Sequence, residues 1–90
     1  MSGDQVRREA YGRAQRAMLE LKAAALSLLS TASSEGMKNS ELGRSLGIYM
    51  GYGGQHQGCL MRTVLDLLEQ EGSVTQDSDS LTWSIRTHRD

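Results

Sequence analysis

Ninety residues make one domain rather than two, and so short a chain buries only about 60% of the surface that it exposes when unfolded, leaving little room for a deep catalytic cleft beside a core. With 38% hydrophobic and 23% charged residues it reads as a folded domain, and its longest apolar run, from Ala23 to Leu26, is far too short to cross a bilayer. The net charge of −1 argues against a purely electrostatic hold on nucleic acid, and the lone Cys59 excludes an internal disulfide, which suits a reducing, cytoplasmic setting.

The opening residues Met1 to Asp4 lack a basic segment followed by an apolar one, so no secretory leader is expected. From about residue 4 to residue 33 the spacing predicts one long helix. Val6, Ala10, Ala14, Ala17, Leu21, Ala24 and Leu28 recur at intervals of three and four, and Tyr11, Met18, Ala25 and Leu29 widen that face. Glu9 with Arg13, and Arg16 with Glu20, form pairs four apart on the other side. A second, short helix is predicted from Asn39, read as its N-cap, through Leu42 and Leu46 to a closing Gly47, with Ile48 folding back. A glycine cluster, Gly51-Tyr52-Gly53-Gly54, precedes a third helix from about Gln55 to Gly72, with an apolar stripe of Leu60, Met61, Val64, Leu67 and Leu68. Beyond it, Val74 and Gln76, then Leu81, Trp83 and Ile85, alternate with polar residues as two strands. The intervening Asp77-Ser78-Asp79-Ser80 supplies the turn.

The order helix, helix, helix, hairpin resembles the winged helix-turn-helix superfamily. Asn39 to Ile48 looks like that family's second helix, Leu60 to Gly72 like the end of its third, and Val74 to Ile85 like its two-stranded wing. The resemblance spans roughly residues 23–87 and implies a mainly α domain with a small β-hairpin, built from three helices. Residues 1–22 then form an N-terminal helical extension and residues 88–90 a tail. The stretch from Tyr49 to Gly54 departs from the pattern, being longer than the usual three- or four-residue turn.

The resemblance also implies a site. In that family the start of the third helix enters the major groove, and the matching positions here are Gln55, His56, Gln57, Cys59, Arg62 and Thr63. Glutamine can pair with adenine and arginine with guanine or phosphate, while Lys38 and Arg44 would address phosphates. The competing reading of these residues is an ordinary exposed polar face. Asp77 and Asp79 make the wing tip acidic, which opposes contact with a phosphate backbone. Tyr49 and Tyr52 either present themselves to a partner or belong to a loop tucked against the core.

His56, Cys59 and His88 are the only soft metal ligands in the chain, too few for a closed zinc site, so no metal or other cofactor is expected. Nor does a catalytic constellation appear, because nothing orients His56 for a Cys59 nucleophile, and Cys59 is expected to be buried or half-buried. The leading expectation is therefore a non-enzymatic DNA-binding winged helix, a small transcriptional regulator or the DNA-reading module of a larger system. The alternative is a protein-interaction module on the same scaffold. The small residues Ala10, Ala14, Ala17 and Ala24 on the first helix suit a homodimer paired through it; otherwise its second half packs within the domain and its first half projects.

Overall fold

The computed structural model describes residues 2–49 and 58–86. Its three helices and one antiparallel hairpin take the winged-helix layout read from the sequence, with the first helix extended.

Helix α1 (Gly3–Thr31) begins where the Ser2 hydroxyl accepts the amide of Gln5 at 3.2 Å, satisfying one of the open N–H groups of the first turn. At 29 residues it is about 43 Å long. Only its second half belongs to the domain: Ala25 and Leu29 are fully enclosed, and Met18, Leu21, Leu26 and Leu28 pack against the core edge. From Ser2 to Ala17 every residue is exposed except Gly12. No glycine ends the helix; the Ser30 and Thr31 hydroxyls donate back to the Ser27 and Leu28 carbonyls at 2.6 and 2.7 Å, and Ala32 turns extended.

Helix α2 (Asn39–Leu46) corrects one expectation, since its N-cap is Lys38 rather than Asn39. Lysine offers no side-chain acceptor, and the cap is closed instead by Glu41, whose carboxylate accepts the Lys38 amide at 3.0 Å. Asn39 is thereby free for another use, described below. Gly47 closes α2 in the left-handed conformation at φ 75°, and the Ile48 amide reaches the Gly43 carbonyl at 2.8 Å, as the glycine and the following aliphatic residue implied.

Helix α3 (Cys59–Gln70) carries the centre of the core. Its buried stripe is Met61, Val64, Leu65 and Leu68, whereas Leu60 and Leu67, expected inside, are only half-buried. The stripe sits a few tens of degrees round from the sequence reading because α3 is covered on two sides, by α1 and by α2. Leu42, Val74 and Trp83 complete the fully buried set.

Strands β1 (Val74–Gln76) and β2 (Trp83–Ile85) pair antiparallel, with Val74 opposite Ile85 and Gln76 opposite Trp83. Trp83 also exchanges backbone hydrogen bonds with Met37, at 2.7 and 2.9 Å, so the segment before α2 docks on the hairpin as a third strand position. Leu81, read as part of the inward alternation, lies outside β2. It is 58% exposed and holds φ 63° in the turn.

Candidate nucleic-acid interface

Three elements converge beside the hairpin. Lys38, Asn39 and Ser40 at the start of α2, Arg62 on α3, Gln76 on β1, and Ser80 and Leu81 in the hairpin turn line one solvent-open depression of about 310 Å³. Among the described residues its charged lining residues are Lys38 and Arg62, both cationic. The first amides of α2 have no partner within the helix and add the positive end of its dipole to the same place, offset in part by the Glu41 carboxylate that accepts the Lys38 amide. The arrangement suits an anion held at a surface rather than a molecule enclosed in a cavity.

Arg62 is not idle in the free domain. Its Nε lies 3.3 Å from an Asp66 carboxylate oxygen one turn along α3, and its guanidinium stands 5.8 Å from the centre of the buried Trp83 ring. Both partners of the ion pair are about half exposed, so solvent screens it and the guanidinium can leave at little cost. Thr63, on the same outward face, spends its hydroxyl proton on the Cys59 carbonyl at 3.0 Å, leaving its oxygen free to accept. Cys59 is exposed at the first position of α3, contrary to the buried or half-buried place expected of it, because the stripe that packs begins at Met61.

Asn39 positions this face. Its side-chain amide donates to the Gly58 carbonyl at 3.2 Å and ties the start of α2 to the start of α3. Gly58 holds φ 86°, and a Cβ there would stand 2.5 Å from the Asn39 amide nitrogen and 2.9 Å from the Tyr49 ring. Tyr49 is half-buried and lies over Gly43 and Gly58, with the Arg44 guanidinium 4.7 Å above its ring. Tyr49 is thus the tucked residue of the two readings. Arg44, stacked on it at the far end of α2, is outside the lining of the Lys38 depression. Gln55, His56, Gln57 and Tyr52, and likewise His88, lie outside the described residues.

The acidic wing tip takes a particular direction. The Asp77 carboxylate turns back into its own loop, accepting the amides of Asp79 at 2.8 Å and Ser80 at 2.9 Å, and these bonds to the ionised form hold its pKa below the ordinary aspartate value. Asp77 lines a separate depression with Ser34, Glu35 and Ser84, and Ser80 borders both. The side facing Lys38 and Arg62 carries Gln76 and Leu81 instead. The composition of the turn showed its charge but not which way it faced.

Ser40, Gln76 and Leu81 escaped the sequence reading. A signal existed for Ser40, since a cap at Lys38 puts its hydroxyl in the first turn of α2. The alternation that buries Val74 marks Gln76 only as a strand residue, and the same rule points Leu81 inward.

At the far side of the domain, Lys22 of α1 pairs with Glu71 at the C-terminal end of α3. The residues before it leave the domain there, away from the start of α3. They carry Arg7, Arg8, Arg13 and Arg16, with Val6 and Tyr11 exposed. Among the described residues no group of three or more His, Cys, Asp and Glu is placed to hold a metal ion, and no helix is long and apolar enough to cross a membrane. Comparison with known protein families, curated proteins and solved structures returned no match.

Proposed function

We propose that this domain binds double-stranded DNA, as a small cytoplasmic regulator of transcription or as the DNA-reading part of a larger assembly. One observation carries the reading: Lys38 and Ser40 at the start of α2 and Arg62 on α3 line one open depression with, among the described residues, no carboxylate in its lining. A phosphate seated there would meet two cations, a hydroxyl and the first amides of α2, and would bring the outward face of α3, with Thr63 and Arg62, toward the groove. Gln55, His56 and Gln57, preceding α3, are the further base-reading candidates. The Asp77 carboxylate is drawn into its own turn and lies outside the lining of this depression, which weakens the objection raised by the wing's composition, while Asp79 stays exposed at the tip.

Two cations hold a duplex weakly. Titration of the domain against mixed-sequence duplex should therefore give weak binding that declines steeply with salt, and Lys38→Ala should lower the slope of log affinity against log salt by about 0.9. Absence of salt-dependent binding at low ionic strength refutes the reading and leaves the scaffold as a protein-interaction module.

The weak hold of one domain also favours two acting together, and we place the second copy on the projecting half of α1. Among the described residues nothing covers residues 3–17, and an isolated helix of about 15 residues is marginal in water. Arg13 and Glu20, seven residues apart, share one flank of the helix beside the Ala10, Ala14 and Ala17 stripe, so two antiparallel copies can exchange Arg13–Glu20 pairs across it. Sedimentation should show a dimer, and deleting residues 1–16 should yield a folded monomer. A monomeric full chain at high micromolar concentration rejects this pairing.

A further inference from the structure

We propose that Leu81 is an apolar contact residue of the same surface, packing on the deoxyribose carbons next to the phosphates that Lys38 and Arg62 address. The proposal rests on the duplex-binding reading above.

Leu81 holds φ 63°, and among the described residues it alone does so without being glycine. Left-handed backbone places Cβ against the following carbonyl, a strain that glycine avoids and asparagine tolerates. Elsewhere this chain meets the same demand with Gly36, Gly47, Gly58 and Gly72. A leucine here carries the strain without the usual return, because its side chain is 58% exposed instead of buried in the core.

The turn leaves Leu81 little freedom to relax. Its amide donates to the Asp77 carbonyl at 2.9 Å, and its carbonyl accepts the Gln76 side-chain amide at 3.1 Å. Asp77 in turn ties down Asp79 and Ser80, and the Asp77 amide reaches Thr82 at 2.9 Å. An apolar side chain is thus held at the rim of the depression that contains Lys38, Ser40 and Arg62. A DNA backbone offers the same alternation, charged phosphates separated by apolar sugars. Cations with an adjacent leucine fit that alternation and require no base identity.

The test compares wild type, Leu81→Gly and Leu81→Asn on several unrelated duplexes across a salt series, with thermal unfolding of each protein alone. Both variants suit the backbone and remove the apolar contact. Affinity should fall roughly tenfold on every duplex, with the salt slope unchanged, since no charge is lost. Melting temperature should stay level or rise for Leu81→Gly as the strain is released. Wild-type affinity in both variants overturns the contact while leaving the duplex reading intact. A marked fall in melting temperature in both variants overturns it too, because Leu81 would then serve packing. A wild type without salt-dependent binding overturns the reading beneath it, and the contact with it.

Discussion

Arg62 and Asp66 give the sharpest test of whether α3 addresses DNA. In the free domain the two side chains pair at 3.3 Å with 56% and 49% of their surfaces exposed, four residues apart on one helix. Pairs of this kind stabilise by about 0.3–0.5 kcal/mol. Releasing Arg62 to a phosphate therefore costs about a factor of two in affinity, a restraint rather than a block. Asp66→Asn removes that restraint, and removes a negative charge from the face that the duplex approaches. Affinity should rise at least about twofold at low salt, and the gain should shrink as salt rises. Arg62→Ala should do the opposite: it removes one phosphate contact, lowers the salt slope by about 0.9, and leaves Asp66 facing the duplex unpaired. If Arg62 pairs with guanine, the loss should instead be about 1–3 kcal/mol and confined to one base position. Fluorescence anisotropy of a labelled duplex, titrated with each variant over a salt series, reads all of these. Equal slopes and affinities for wild type, Arg62→Ala and Asp66→Asn would refute the assignment of α3 to the interface.

The core and the turns make separate predictions. Leu42 is fully buried between α2 and α3, so Leu42→Ala should cost about 2–5 kcal/mol, read as a lower urea midpoint with an unchanged m-value. Gly36 holds φ 78°, and a Cβ there would collide with the Trp83 carbonyl oxygen; Gly36→Ala should destabilise by about 1–3 kcal/mol and lower the melting temperature, through loss of the Met37–Trp83 bridge. The bonds from the Ser80 and Asp79 amides depress the Asp77 pKa, so their stabilisation of the turn is complete above the ordinary aspartate value of 3.8 and is lost as pH falls through the lower folded value. The Asp79 and Ser80 amide signals should shift through that acid range by NMR, and Asp77→Asn should remove the dependence.

What the sequence determined by itself was local. Three- and four-residue apolar spacing marks a helix wherever one face is to be buried, which is why α1, α2 and α3 were legible from Leu21, Leu28, Leu42, Leu46 and Val64. Gly47 and Gly72 ended their helices as expected because a left-handed residue is a backbone demand met within a few residues of chain. Alternation around Trp83 revealed the hairpin for the same reason. Tertiary structure decided the rest. Spacing could not tell that Leu65 would be buried while Leu60 and Leu67 stayed half-covered, because that depends on the directions from which α1 and α2 approach α3. Nor could the cap rule place Lys38 ahead of Asn39, since Asn39 is drawn away by the Gly58 carbonyl, far along the chain. The proposed interface was half legible. Lys38 follows from its charge and Arg62 and Thr63 from the resemblance, but Arg44 is drawn off by Tyr49. The convergence of Lys38 with Arg62, and the placing of Asp77 in a separate depression, exist only once distant segments pack. Composition supplies charges, but only the packed backbone assigns each of them a direction.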